Sequence, residues 1–202
     1  MGNLHSVQTS FARLDQPLGM VHGPDNLASC DALILPGVGA FDPAMAQLEQ
    51  TGLIPHLQQW HAEAKPLLGI CLGLQLLFER SEEGRRPGLG LLKGHVRRLP
   101  DDAGERIPHM GWAPLQVLHP CPLLGHDDPE EWMYFVHSYA AAPEQPEVLA
   151  ASAPFGRGQA TAMVWSGRLG ACQFHPEKSG DAGQRLLQRW LQWLERSSPC
   201  QA

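Results

Sequence analysis

The segment Leu67-Leu68-Gly69-Ile70-Cys71-Leu72-Gly73-Leu74-Gln75-Leu76-Leu77 constrains this chain more than any other. A short apolar run ends on a cysteine with glycines two residues before and two after it, and an amphipathic stretch follows. That is the Gly-x-nucleophile-x-Gly pattern of a strand turning sharply into a helix. The nucleophile on such a turn has a strained backbone, and side chains at the flanking positions would collide. Glycine at 69 and 73 removes them. The turn also puts Cys71 at a helix N-terminus, where unpaired N–H groups and the macrodipole favour a thiolate. Alone, the pattern leaves two readings open, since a cysteine between apolar residues is more often an inert core residue.

The second informative string is Gln173-Phe174-His175-Pro176-Glu177, about 100 residues downstream. His175 follows an apolar strand-like run that Pro176 stops, and Glu177 is close enough to orient the imidazole. Cys, His and a carboxylate together have the general form of an activated nucleophile.

At 202 residues, the chain fits one α/β domain able to bury roughly 70% of its unfolded surface. A formal charge of −6 and the lack of Lys/Arg clusters argue against nucleic acid or an anionic membrane as partner. Arg85-Arg86 and Arg97-Arg98 read as solvated pairs. The apolar run from Pro66 to Phe78 is a strand entering a helix, too short to span a bilayer, and the N-terminus does not read as a signal peptide. Cys30, Cys71, Cys121, Cys172 and Cys200 show no C-x-x-C spacing, so neither a disulfide framework nor a zinc site is expected. A reducing cytoplasm fits, with no metal and no cofactor. His5, His22, His56, His61, His119 and His126 read as surface or supporting residues.

Asn3 is placed to cap a helix carrying Leu4, Val7, Phe11 and Leu14. Asp31–Leu35 reads as a buried strand ending at Pro36. Helical patterns cover Asp42–Gln50 and Leu53–Ala64, and the strand Leu67–Ile70 leads into a helix reaching about Arg80. This alternation predicts an α/β fold, a mostly parallel central sheet flanked by helices. An antiparallel portion is added by Leu91–Leu99, Ala113–Leu118, Trp132–Ala140, Val148–Ser152 and a hairpin of Thr161–Trp165 with Leu169–Phe174. Asp181 to about Arg196 reads as the last helix, with Leu186, Leu187, Trp190, Leu191 and Leu194 on one face.

Further strings point in one direction: Leu35-Pro36-Gly37-Val38-Gly39, Pro108-His109-Met110-Gly111-Trp112 and Tyr134-Phe135-Val136-His137-Ser138-Tyr139-Ala140. The first is either an ordinary strand-to-helix loop or a peptide free to present N–H to an oxyanion. With Gln-Phe-His-Pro-Glu-Lys-Ser-Gly at 173–180 and the elbow, these strings resemble the class I, triad-type glutamine amidotransferases, of flavodoxin-like fold. Within them, the opening Met1-Gly2-Asn3-Leu4-His5-Ser6-Val7 resembles the glutaminase subunits of imidazole glycerol phosphate synthases, over nearly the whole chain.

The resemblance implies that Cys71 attacks the side-chain amide of glutamine, His175 passes a proton to the leaving ammonia, and Glu177 fixes the imidazole. It implies an oxyanion site of Leu72 N–H with Gly37, Val38 or Gly39, and substrate contacts from Gln75, Ser138 and Tyr139. The partner implied is a (β/α)₈-barrel cyclase subunit, which takes the ammonia in histidine biosynthesis. Asn3, Met110, Trp112 and Lys178 lie in strings that should face it, although Trp112 could equally be a core aromatic and Lys178 a solvated one. Hydrolysis should be restrained until both sites fill, for example by a misoriented Gly37–Val38 peptide. Two departures stand out. Ala113 occupies a position where the family usually has Asn. The family's first β-strand precedes Gly-Asn-Leu, whereas here Met1 does, so residues 1–202 are expected to form a single amidotransferase domain without that strand, Met1 being a misplaced start. The competing readings are a γ-glutamyl hydrolase, a glutaminase serving another synthase, or a truncated, non-catalytic binding subunit.

Overall fold

The computed structural model describes residues 2–197, without the side chain of Asn3. Helix α1 (Gly2–Ala12) precedes strand β1 (Leu33–Gly37), helices α2 (Phe41–Gln50) and α3 (Leu53–Ala62), strand β2 (Leu67–Cys71) and a short helix α4 (Leu72–Leu76). Strands β3 (Arg80–Ser81), β4 (Gly94–Arg98), β5 (His109–Pro114), β6 (Gln116–Val117), β7 (Trp132–His137) and β8 (Tyr139–Pro143) follow. Strands β9 (Leu149–Phe155), β10 (Gly158–Ser166) and β11 (Leu169–Cys172) lead to helix α5 (Gly180–Ser197).

The main sheet runs β1-β2-β11-β10-β9-β6. Its β1, β2 and β11 are parallel, and β10, β9 and β6 continue it antiparallel. The α/β architecture with an antiparallel portion is thus as the pattern predicts. Strand β2 is buried at every position, which the period-2 geometry explains: helices cover both of its faces. Leu68 and Ile70 share one core with Phe11, Leu187 and Trp190, under α1 and α5. Leu67 faces the other core with Phe41, Leu57 and Trp60, under α2 and α3. Cys71 sits where this doubly covered strand ends.

Four sequence expectations are corrected. Pro36 does not stop β1; it pairs in register with Ile70. Among the described strands β1 is at the sheet's end, where a missing N–H costs no ladder bond if it points outward. The helix after Cys71 spans five residues instead of reaching Arg80. The carbonyls of Leu76, Leu77 and Phe78 accept from the N–H groups of Leu89, of Leu91 and Leu92, and of Gly90. A neighbouring loop therefore takes the bonds that helix extension would need. The apolar run Trp132–Ala140 breaks at Ser138 into two strands serving different sheets, β7 beside β5 and β8 beside β4. Finally, α1 begins at Gly2, one residue before the predicted cap. The Asn3 side chain, and with it the cap and the expected interface contact, lies outside the described residues, as does Cys200.

Candidate active site

Cys71 occupies φ 54°, ψ −110°, a conformation an L side chain adopts only under constraint. The constraint is close packing. A Cβ at Gly69 would meet Ala171 Cβ at 3.0 Å and the Gly73 backbone at 3.1 Å. One at Gly73 would overlap the Leu35 carbonyl, and one at Gly37 would meet Leu72 Cβ at 2.9 Å. Strand β1, strand β2 and helix α4 therefore converge on glycines, and the sulfur is pushed out at their junction. Because α4 is so short, the dipole expected from the sequence is correspondingly weak, leaving neighbouring side chains to stabilise charge on sulfur.

Those neighbours come from across the fold. His175 and Glu177, 1% and 0% exposed in their side chains, join through His175 Nδ1 and Glu177 Oε1 at 2.7 Å. A carboxylate accepts there, so Nδ1 carries the hydrogen and Nε2 is left for chemistry. Nε2 is buried without a hydrogen-bond partner, as is Glu177 Oε2. Burial disfavours the imidazolium, but the Cys71 sulfur and Glu177 outweigh it and push His175 up to about 9. At neutral pH the base is thus a cation facing the sulfur. Its loop is clamped to β7: His175 N–H donates to Tyr134 O at 2.9 Å, and Tyr134 N–H donates to Ser179 Oγ at 2.9 Å. Ser179 Oγ in turn donates to His175 O at 2.6 Å.

A pocket of about 370 Å³ opens over the sulfur. Val38, Gly39, Leu72, Gln75, Ser138, Tyr139, His175 and Lys178 join Cys71 on its wall, whereas Gly37, Glu177, Met110 and Trp112 are not among the lining residues. Gly39 has φ 97°, the freedom anticipated for that loop. Gln75 is buried, not a surface-helix residue. Trp112, at 52% exposure, and Met110, at 63%, are not core residues. Ala113, at the position where the resemblance implies Asn, is buried in the core.

Three contributors escaped the sequence reading. Glu83 is the carboxylate on the pocket's wall, and its Oε2 accepts from Phe41 N–H at 2.9 Å, at the start of α2. Gln173 lies fully buried against the sulfur. His137 donates from Nδ1 to Tyr139 O at 2.8 Å, and its Nε2 therefore accepts from Nδ1–H of His109 at 3.1 Å. None forms a local pattern; their partners are 42, 102 and 28 residues away. Only the place of Gln173 and His137 inside quoted strings hinted at a role.

His137 gives a pH prediction. Burial, opposed by its hydrogen bond to Tyr139 and helped by the nearby His109 and His175, lowers it from 6.5 to about 4. Between those values the unfolded chain binds the proton and the folded chain does not. Stability is therefore complete above pH 6.5 and lost as pH falls toward 4, by about 3 kcal/mol from this group. Urea unfolding at pH 7 and 4.5 should show the loss, and His137→Gln, which keeps a donor for Tyr139 O, should lessen it. An equal loss in that variant would assign the acid sensitivity elsewhere.

Among the described residues, no group of three or more His, Cys, Asp or Glu could hold a metal ion. No helix among them is long and apolar enough to cross a membrane. What the site can do is nucleophilic attack by sulfur on a carbonyl, with a cationic imidazole to protonate the leaving group.

A cysteine elbow at the end of a doubly covered parallel strand, faced by a His–Glu pair, is the arrangement that triad-type acyl-transfer enzymes use. The family model described as "Glutamine amidotransferase class-I" matches residues 5–193, and the chain belongs to that family. It is 68% identical to imidazole glycerol phosphate synthase subunit HisH 2 of Prochlorococcus marinus (strain MIT 9313), over 96% of this chain and 92% of that protein. It is 64% identical to subunit HisH of Synechococcus sp. (strain CC9605), over 99% and 94%. A solved glutamine amidotransferase shares the fold with TM-score 0.72 at 21% identity, covering 96% of this chain and 94% of its own. So does PurLQS from Thermotoga maritima, with TM-score 0.74 at 18% identity and coverage of 94% and 92%.

Proposed function

We propose that this chain is the glutaminase subunit of an imidazole glycerol phosphate synthase, a single amidotransferase domain that hydrolyses glutamine and passes ammonia to a cyclase subunit in histidine biosynthesis. The observation that carries the reading is the buried Cys71, His175 and Glu177 set opening into a pocket of about 370 Å³, in a chain so similar to HisH subunits. Free cysteines at 30, 71, 121 and 172 agree with a cytoplasmic setting.

Glutamine brings an amide, an ammonium and a carboxylate, and the wall of the pocket has a counterpart for each charge. Glu83 receives the ammonium and Lys178 lies nearest in chemistry to the carboxylate. Backbone groups of Ser138 and Tyr139 align the chain of the substrate. The sulfur then adds to the amide carbon, and the oxyanion meets the N–H of Leu72 and one from Val38 or Gly39, donors worth on the order of 10²–10³ in rate each. His175 protonates the nitrogen as the C–N bond breaks, ammonia leaves, and a γ-glutamyl thioester stays on Cys71. With its proton gone, His175 draws one from water, which hydrolyses the thioester to glutamate.

The β5–β7 ribbon supports a place for the partner. Directly opposed residues share a face, so Met110 with Val136, Trp112 with Tyr134 and Pro114 with Trp132 form its outer side. Phe135, Met133 and Ala113 on the inner side are buried, whereas Met110, Trp112 and Trp132 are exposed. That apolar face adjoins the pocket at Val136 and, with Lys178, is the surface we assign to the cyclase, a (β/α)₈ barrel. Trp112→Ala should weaken cyclase binding by about 2 kcal/mol, roughly 30-fold in Kd; calorimetry giving an unchanged Kd would remove this face from the interface. The reading as a whole is tested by glutamate release from the chain mixed with its cognate cyclase, with and without the cyclase's ligand. Ligand-stimulated glutamate release is expected. Release at the same rate without cyclase would favour a free-standing glutaminase, and no release would leave a binding subunit.

A further inference from the structure

The reaction as described leaves one buried polar side chain beside the nucleophile without a task. Gln173 is fully buried, and its main-chain N–H is tied to Ala162 O at 2.8 Å. Its carboxamide touches Gln75 Nε2 through Oε1 at 3.0 Å and Cys71 Sγ through Nε2 at 3.8 Å.

Which end of the carboxamide faces sulfur is fixed by a chain of necessity. Tyr139 O can only accept. Gln75 lies 2.9 Å from it, so the group of Gln75 pointing there is its NH₂. The second hydrogen of that NH₂ reaches Gln173, which must answer with oxygen. The NH₂ of Gln173 is then turned to Cys71. Tyr139 O also accepts from His137 Nδ1, so both of its lone pairs are occupied and the anchor does not swing. A backbone carbonyl thereby dictates, through two carboxamides, that a donor rather than an acceptor meets the nucleophile.

We propose that Gln173 is a positioning residue for Cys71: its oriented carboxamide N–H stabilises negative charge on the sulfur, and Gln75 sets that orientation. The proposal rests on Cys71 being the nucleophile, but not on glutamine being the substrate. A neutral thiol is a poor acceptor, whereas an anionic sulfur gains a charge-assisted bond, so the contact strengthens as charge develops. Gln75, which also lines the pocket, spends both amide hydrogens on this scaffold, so its oxygen is what remains for the substrate contact expected from the sequence.

The test is the rate of Cys71 alkylation by iodoacetamide across pH 5–9, read by mass spectrometry of the Cys71 peptide, which requires no glutamine turnover. Gln173→Met keeps the shape and removes the donor, and should slow alkylation at neutral pH on the order of 10-fold. Gln173→Glu, which presents an acceptor, should slow it further. Gln75→Glu would force Gln173 to turn its NH₂ toward the new carboxylate and its oxygen toward sulfur, again slowing alkylation. That effect should shrink in the Gln173→Met background, where there is no carboxamide to turn. Direct repulsion between the carboxylate and sulfur would persist in both backgrounds, so equal slowing overturns the relay. An unchanged alkylation profile in folded Gln173→Met overturns the proposal. The unmutated chain gives a reading independent of any folding defect: a Gln173 side-chain N–H resonance should move downfield as alkylation competence appears, and lose that movement in Cys71→Ser. A resonance indifferent to pH and to that change would also overturn it. Failure of the glutaminase reading would show instead as normal alkylation without glutamate release.

Discussion

Cys71→Ala is expected to abolish glutamate release, by on the order of 10⁴-fold or more, while leaving the protein folded and able to bind its cyclase. The magnitude follows from losing the covalent route altogether: without sulfur, no acyl intermediate forms, and orientation and oxyanion donors alone supply the remainder. The structural cost is small because the cysteine lies at the junction of strand and helix, with 7% of its surface exposed toward the pocket, and leaves little void on truncation. Glutamate measured from 14C-glutamine, with calorimetric binding to the cyclase as control, checks both halves. Retention of more than a few per cent of the activity would mean that the nucleophile has been misassigned, and loss of cyclase binding that the substitution acted on folding.

The second large effect is expected of Gly73→Ala, a single methyl group in the wrong place. Its Cβ would overlap the carbonyl oxygen of Leu35, and backbone cannot rotate aside as a side chain does. Helix α4 must then move off β1, or β1 off the sheet. Overpacking of this kind costs about 1–3 kcal/mol where neighbours yield, and more where they do not. Since α4 follows directly on Cys71 and carries Leu72 N–H, the displacement would also misplace the proposed nucleophile and oxyanion donor. Displacement on the order of 1 Å can cost about 10²-fold in rate. Denaturant midpoint and glutamate release should therefore fall together. Gly19→Ala, at a position whose Cβ meets nothing within 4 Å, is the contrast, and should change neither by much.

The sequence was legible where chemistry and backbone geometry coincide. Gly69, Cys71 and Gly73 encode a crowded turn, and crowding leaves a signature in residue type; His175, Pro176 and Glu177 encode an imidazole and its holder within three positions. Strand β2 and helix α5 were readable for a similar reason, since burial on two faces or one stripe repeats along the chain. What could not be read depends on distant segments meeting. Glu83 reaches the pocket only because it caps α2, and its carboxylate looks like any other in Ser81-Glu82-Glu83-Gly84. The length of α4 is set by a loop around Leu89–Leu92 that takes its carbonyls, a competition invisible in local propensity. The break at Ser138 falls inside a uniformly strand-forming run, because β7 and β8 are claimed by different sheets. Trp112 was ambiguous between core and surface, and only the register with Tyr134 places it outward.

The clamp between β7 and the histidine loop ties two distant-looking jobs to one piece of backbone. Tyr134 offers its carbonyl to His175 and its N–H to Ser179, while its ring leans against Trp112 with centroids 6.0 Å apart. Strand β7, which lies under the face proposed for docking, therefore also holds the loop that carries His175. A partner seated on the aromatic side would bear on the strand whose backbone is hydrogen-bonded to the loop carrying the imidazole.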